Sequence, residues 1–272
     1  MQTEINSVIA LYSNGQIQEA LDSVGALIKD YPNEALLYNV SGACYAGLGQ
    51  LDAAVKRYEQ AIEMKPDYAE AYNNLGITLK ELGQLDAALQ SYEQALAIKP
   101  DFAEAFNNLG SVLNEFGQLD TAVKSYEKVL AIKPDFAEAH YNLGVTLQEL
   151  GQLDDAVKSY EQALAIKPDY AEAHNNLGLT FKELGQLDDA VKSYEKALAI
   201  KPDYAEAHYN LGGALEGLGQ LDDALASYDR AIVLKPEMSF ILGNSLHTKM
   251  HLCIWDDLPN RLIELTKKIN NS

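Results

Sequence analysis

The sequence is poor in the features that mark secreted and membrane proteins. Only two cysteines, Cys44 and Cys253, occur in 272 residues, and they lie far apart, so no disulfide framework is expected. No apolar run approaches the roughly 18 residues of a membrane span. Residues 1–15 contain neither a basic start nor a cleavage site, so we expect no signal peptide. These absences favour a protein of the reducing cytoplasm.

Positive charge is also scarce. The chain has 21 Lys and Arg against 40 Asp and Glu, which gives a formal net charge of −19. Such a chain repels phosphate backbones and anionic lipid surfaces. Nucleic acids and membranes are therefore not expected as partners, and neutral or basic proteins and peptides are favoured.

Recognisable catalytic motifs are missing. The sequence has no nucleophile elbow, phosphate-binding loop or dinucleotide fingerprint. His247 and His251 are four residues apart and Cys253 follows, but no carboxylate spacing completes a zincin-like motif. We predict no catalysis, no cofactor and no metal for this chain.

A fixed period of 34 residues organises the sequence. Prolines recur at this spacing, at Pro32, Pro66, Pro100, Pro134, Pro168, Pro202 and Pro236. Glycines keep the same spacing from Gly15 to Gly219. A period of this length is typical of a solenoid of stacked supersecondary units. Windows counted from the prolines begin at residues 1, 35, 69, 103, 137, 171, 205 and 239, and positions 1–34 below refer to them.

Each window predicts two helices. In window 171–204 the first helix places His174, Leu177, Gly178 and Phe181 on one stripe, and a second apolar stripe runs from Leu187 to Leu198. Small residues on these stripes would let the helices approach closely. Gly185 separates the two helices. Asp203, with Glu206 three residues later, is expected to cap the next helix.

The unit resembles the tetratricopeptide repeat. Window 69–102 carries that family's landmark residues in order: Tyr72, Leu75, Gly76, Ala88, Tyr92, Ala95 and Pro100. The resemblance implies an all-α fold, a right-handed α-solenoid whose first helices line a concave groove. Since histidine replaces the aromatic of position 4 at His140, His174 and His208, we expect these three side chains in the core. We predict a degenerate N-terminal repeat at 1–34, six repeats at 35–238, and capping helices or a linker at 239–272.

Asparagine recurs on the face of the first helices that points away from the core. At 100° per residue, positions 2, 6, 9 and 13 lie opposite the core stripe. Only Val40 breaks the series at position 6, which reads Asn6, Asn74, Asn108, Asn142, Asn176, Asn210 and Asn244. An amide can pair with the backbone of an extended peptide whatever its sequence. Alternatively, these amides bond to the neighbouring helix and serve the scaffold alone.

Two further groups of side chains on the first helices are candidates for ligand contact. Position 12 varies between windows and contributes Lys80, Asn114, Gln148 and Lys182 to the candidate groove. Glutamates recur at position 2, from Glu70 to Glu206, and at position 13, from Glu81 to Glu183. A carboxylate in the first turn also offsets the helix dipole. An acidic groove favours neutral or basic peptides.

The last window departs from the repeat and suggests a more specific relationship. Asn244, His247, Cys253, Trp255, Asp257, Arg261 and Leu265 resemble, in order and spacing, the segment that joins the repeats to the catalytic region in O-linked N-acetylglucosamine transferases. The resemblance implies the substrate-recognition arm of a larger transferase. A non-catalytic scaffold for extended peptides remains our leading hypothesis, and a self-assembling module is a third.

Overall fold

The computed structural model describes residues 2–236, 239–254 and 266, without the side chains of residues 2 and 239–241. Over this part of the chain it contains fifteen α-helices and no strand. In chain order they are α1 (Gln2–Ser13), α2 (Ile17–Asp30), α3 (Ala35–Gly47), α4 (Leu51–Met64), α5 (Ala69–Glu81), α6 (Leu85–Ile98), α7 (Ala103–Glu115), α8 (Leu119–Ile132), α9 (Ala137–Glu149), α10 (Leu153–Ile166), α11 (Ala171–Glu183), α12 (Leu187–Ile200), α13 (Ala205–Gly217), α14 (Leu221–Leu234) and α15 (Ser239–His251). The expected all-α repeat architecture is confirmed.

The chain divides into two compact units, Met1–Pro134 and Asp135–Ser272. In the first unit each helix from α1 to α8 packs on the next one, and in the second unit α9 to α15 do the same. From α3 onward, the two helices of one repeat make the most extensive contacts, and within each unit the second helix packs on the first helix of the following repeat. Among the described residues, no helix has the length and apolarity needed to cross a membrane.

A glycine at position 8 lets the paired helices approach closely. A Cβ atom built on Gly178 would lie 2.7 Å from the ring of Tyr194, which is fully buried. A Cβ on Gly76 would lie 2.6 Å from Tyr92, so the contact repeats in both units. The close approach predicted from Gly178 is therefore confirmed, and its cause is the tyrosine ring at position 24.

The turns between helices use the predicted glycine, but the predicted cap is wrong. Gly185 adopts a φ of +74°, a backbone conformation that glycine reaches without steric penalty. The N-cap residue of α13 is Tyr204 rather than Asp203, and no side chain caps this helix. The Lys-Pro-Asp-Tyr turn places one more residue before the helix than the capping pattern assumes. Glu206 instead pairs with Lys235, at the end of α14.

Candidate peptide-binding face

The asparagines of position 6 hydrogen-bond to the preceding repeat. In the first unit, Asn74 Nδ2 donates to Asn39 Oδ1 at 3.1 Å, and Asn108 Nδ2 donates to Asn73 Oδ1 at 3.0 Å. Both donors are half-buried, and Asn73 is buried. Each of these two amides thus ties adjacent first helices together through position 5, which the sequence analysis did not recognise as a partner.

The second unit repeats this bond with a different acceptor. Asn210 Nδ2 donates to Asn175 Oδ1 at 3.1 Å, whereas Asn176 Nδ2 donates to the hydroxyl of Tyr141, also at 3.1 Å. The bond from Asn244 to the hydroxyl of Tyr209 has the same length. Asparagine and tyrosine alternate at position 5 because both present an oxygen that accepts this bond. Their alternation was the sequence feature that could have revealed the partner.

The inter-repeat bond uses only part of each amide. A side-chain amide offers two N–H donors and a carbonyl with two lone pairs. In Asn74 and Asn108 the described bonds use one N–H and leave the other N–H and the carbonyl oxygen without a protein partner. Of the two remaining residues of the series, Asn142 is half-buried, as Asn74 and Asn108 are, and Asn6 is exposed. In Asn74 and Asn108 the scaffold therefore uses one donor, whereas Asn176 also accepts a bond from Asn175 at its carbonyl oxygen, at 3.2 Å.

Threonine at position 10 fixes the backbone beneath the asparagines. Its hydroxyl donates to the backbone carbonyl of position 6, four residues earlier. The bonds are Thr78 to Asn74, Thr146 to Asn142, Thr180 to Asn176 and Thr248 to Asn244, at 2.9–3.0 Å. All four threonines are buried. The threonine hydroxyl thus bonds to the backbone of its own helix, four residues back, at the level of the asparagine.

A small pocket of about 270 Å³ opens beside Asn74 in the first unit. Ile77 and Glu81 line it from the same helix, and Tyr12 and Tyr58 line it from other helices. Ile77 is 38% exposed, so its apolar side chain is accessible at the pocket. The structure thus brings positions 6, 9 and 13 together, as the helical spacing predicts. The contribution of Tyr12 could not be read from the degenerate first window.

Position 12 bridges repeats. Lys80 Nζ lies 2.6 Å from Ser111 Oγ and 2.8 Å from a carboxylate oxygen of Glu115. In the second unit Gln148 Nε2 donates to Glu183 at 2.9 Å. Position 12 thus contacts positions 9 and 13 of the next repeat, and the glutamates of position 13 are partly engaged.

The two remaining predicted residues of position 12 also lie on the first helices. Lys182 points at the following repeat, since a Cβ built on Gly213 would lie 2.9 Å from its Nζ. Asn114 is half-buried. We name the first-helix residues of positions 5, 6, 9, 12 and 13 the amide face, and treat the face of each unit separately.

The glutamates of position 2 pair with lysines. Lys99 Nζ lies 3.4 Å from Glu70, and Lys201 Nζ lies 3.6 Å from Glu172. The same lysine stands over the aromatic ring of position 34, as Lys99 does 4.4 Å from the centre of Phe102. These carboxylates are therefore largely balanced by cations, and they contribute less to an acidic surface than the sequence suggested.

Of the three position-4 histidines expected in the core, His174 is buried, whereas His140 and His208 are half-buried. His174 is 8% exposed, and its Nε2 lies 3.1 Å from the carbonyl oxygen of Pro168. His208 makes the same contact with Pro202 at 3.0 Å. Tyr38 donates its hydroxyl to Pro32 at the same distance. Imidazole thus replaces phenol at position 4 while keeping the bond to the preceding proline carbonyl. No cluster of three possible metal ligands occurs among the residues the structure describes.

Part of the transferase resemblance lies outside the described residues. Trp255, Asp257, Arg261 and Leu265 belong to that part. The described portion, α15, packs on α14 and is linked to α13. The carboxylate of Glu216, on α13, accepts a hydrogen bond from Tyr228 at 2.9 Å and lies 3.2 Å from His247 Nδ1. Partial burial alone would raise the pKa of Glu216, but the bonds from Tyr228, His247 and Thr248, together with the charge of His247, outweigh it and lower the pKa.

Comparison with known proteins establishes the family. Tetratricopeptide repeat models match residues 42–83, 78–115, 110–151, 135–203 and 176–239, and together they cover residues 42–239 without a gap. The chain belongs to the tetratricopeptide repeat family. The comparison with curated proteins gives no match.

Three solved structures illustrate the similarity. The YrrB structure, described as a tetratricopeptide repeat protein with an unusual peptide-binding site, is 26% identical and has a TM-score of 0.59. The match covers 72% of this chain and 99% of the YrrB chain. MamA is 29% identical over 60% of this chain and 95% of its own, with a TM-score of 0.56. The Cut9–Hcn1 hetero-tetramer of the APC/C, at 16% identity and a TM-score of 0.75, covers 89% of this chain and 48% of its own and shares the fold alone.

Proposed function

We propose that this chain is a non-catalytic scaffold that binds an extended protein segment along the amide face. The observation that carries the proposal is the unused hydrogen-bonding capacity of Asn74 and Asn108. An extended peptide needs one donor and one acceptor for every second residue. A half-buried amide that is held in place by the scaffold meets this need with little loss of side-chain entropy.

The similarity to YrrB supports a peptide as the ligand, because the published description of that protein names a peptide-binding site. The pocket beside Asn74 would accept one apolar ligand side chain against Ile77, and Glu81 at its edge favours a basic neighbour. We therefore propose neutral to basic peptides as ligands and exclude nucleic acids and membranes on charge. The free thiols of Cys44 and Cys253 agree with the proposed cytoplasmic location.

The test separates ligand contact from scaffolding. A peptide selected from a random display library on the full chain serves as the probe. The triple variant Asn108→Ala, Asn142→Ala and Asn176→Ala removes amides from both units. At about 1 kcal/mol for each lost bond, we expect the affinity to fall about fivefold for a peptide on the face of the first unit, which loses one amide, and about thirtyfold on the second, which loses two. Its matched control is Tyr141→Phe, which removes the partner of Asn176 and leaves the amide in place. We expect its binding to stay within about threefold of the wild type.

The opposite pattern would contradict the proposal. If the triple variant binds the selected peptide as tightly as the wild type does, per folded molecule, the asparagines serve the scaffold alone. Fluorescence anisotropy measures binding, and circular dichroism measures the folded fraction. Light scattering over a concentration series tests self-assembly, and growth of the mass with concentration would favour that alternative.

The transferase resemblance supports a second candidate, in which the amide face delivers protein substrates to a glycosyltransferase domain. Asn244, which continues the amide series with a bond to Tyr209, lies within the resembling segment. The coding sequence beyond the codon of Ser272 tests this candidate. A sugar-nucleotide-binding domain there would support it, and a stop codon would exclude it.

A further inference from the structure

Two histidines near the C-terminal end of α15 point their ring nitrogens at each other. His247 and His251 lie one helical turn apart, and their Nε2 atoms are 3.2 Å apart. The rings meet edge to face, with centroids 4.5 Å apart and an interplanar angle of 70°. Both side chains are exposed, so a ligand from solvent can reach them.

The separation of the two nitrogens fits a shared metal ion. Zinc binds imidazole nitrogen at about 2.0–2.1 Å, so two ligand nitrogens lie about 2.9 Å apart at a right angle and about 3.4 Å apart at the tetrahedral angle. The observed 3.2 Å lies between these values. A cation can therefore bridge the rings with only small side-chain movements.

The surroundings of His247 prepare it to act as a ligand. Its Nδ1 lies 3.2 Å from Glu216 Oε1, on the helix α13. Because the carboxylate accepts a hydrogen bond from the Nδ1–H group, a neutral His247 presents the lone pair of Nε2. Histidines that bind metals commonly donate their other N–H to a carboxylate in this way. Tyr228 holds Glu216 in place by donating to the second carboxylate oxygen at 2.9 Å.

We propose that His247 and His251 form a binding site for a divalent transition metal of the kind that prefers imidazole, such as Zn²⁺, Ni²⁺ or Cu²⁺. Glu216 orients His247, and water completes the coordination. In the metal-free pair, the Nε2–H group of His251 donates a hydrogen bond to Nε2 of His247 and keeps its proton. On binding, neutral His251 moves this proton to Nδ1, so both Nε2 lone pairs reach the metal and no net proton is released. Sequence spacing alone supplies the two histidines, and the fold adds Glu216 from 31 residues earlier.

Isothermal titration of the full chain, without a histidine tag, tests the site with ZnCl₂ and NiCl₂ as probes. We expect one metal ion per chain and no binding of Mg²⁺, which prefers oxygen ligands. His247→Ala and His251→Ala should each abolish binding. Glu216→Gln should weaken it by about 10–100-fold, the range typical of partners that orient a ligand.

Three controls keep the result interpretable. His208→Gln changes a histidine whose Nε2 is engaged by Pro202, and it should bind zinc as the wild type does. Cys253→Ser should also bind, because the proposed site contains no thiol. Loss of binding in Cys253→Ser, or retention of binding in His251→Ala, would overturn the proposal. The helical circular dichroism signal confirms that each variant is folded.

Discussion

The amide of Asn176 donates a hydrogen bond to the phenol oxygen of Tyr141, 3.1 Å away in the preceding repeat. Burial, together with the carboxylate of Glu172, raises the pKa of Tyr141, so its hydroxyl is neutral at physiological pH. The same link joins Asn210 to Asn175, with an amide oxygen in place of the phenol. Adjacent repeats are therefore joined by a polar bond that tolerates two different acceptors.

Tyr141→Phe should lower the free energy of unfolding by about 0.5–1.5 kcal/mol, since it removes the acceptor of a half-buried donor. Urea unfolding measures the change. The double variant with Asn176→Ala should lose less than the sum of the single changes, because both act on one bond. Strict additivity would show that this hydrogen bond does not contribute to stability.

Gly178→Ala should destabilise the protein by up to about 2 kcal/mol. The new Cβ would lie 2.7 Å from the buried ring of Tyr194, and overpacking of this kind costs about 1–3 kcal/mol, offset by about 1 kcal/mol of helix propensity. Gly25→Ala is the matched control, because it lies in a helix with nothing near the added methyl group. It should raise the midpoint of thermal unfolding. Equal effects at both positions would refute the packing argument.

Stability should fall in alkaline solution because of the buried tyrosines. Burial, with a smaller contribution from the carboxylate of Glu172, raises the pKa of Tyr204 to about 12, and burial also raises the pKa of Tyr194. An unfolded tyrosine titrates near pH 10. The folded state holds the proton more tightly, so this stability is fully present below about pH 10 and is lost as the pH rises towards 12.

Tyr194→Phe tests this effect at one site. The Tyr194 hydroxyl is buried and has no hydrogen-bond partner among the described residues, so its removal should leave stability at neutral pH unchanged or improved by up to about 1 kcal/mol. The alkaline loss should shrink by up to about 1.4 kcal/mol per pH unit. Urea unfolding at several pH values measures both quantities, and an unchanged slope would contradict the expectation.

His174→Tyr should reduce the sensitivity of the protein to acid. Burial lowers the pKa of His174, and the bond to Pro168 opposes this only in part. The folded state therefore binds the proton less tightly than the unfolded state, and stability is lost as the pH falls below about 6.5. Tyrosine supplies an equivalent bond at this position, as Tyr38 does. Urea unfolding at several pH values measures the change. If the wild type and His174→Tyr lose the same stability in acid, another group causes the loss.

The sequence predicted the repeat, the helix pairs and the glycine turns because these depend on local spacing. It also predicted that Asn74 and Glu81 share a face, which the pocket beside them reflects. It did not reveal position 5 as the acceptor. The amide of Asn175 donates to its sequence neighbour Asn176, but its oxygen accepts the bond from Asn210, 35 residues later. Such a pairing depends on how repeats stack, which no single window contains.

The charge distribution on the first helices was also beyond the sequence. Glu70 and Lys99 are 29 residues apart and belong to opposite ends of one helix pair. A count of carboxylates describes this surface as acidic, whereas the folded chain places Lys99 beside Glu70 and Lys201 beside Glu172. Only the three-dimensional arrangement shows that Glu81, at the pocket, has a different setting from Glu70.

The bonds from five of the position-6 asparagines to the preceding repeat constrain how each unit unfolds. Every such link joins residues 35 positions apart, about one repeat, so a helix pair gains its stabilising contacts from its immediate neighbours. Within a unit, unfolding can then begin at a terminal repeat and proceed stepwise. A ligand that contacts several asparagines of one unit at once would link repeats that otherwise contact only their immediate neighbours. It would therefore make their unfolding more cooperative.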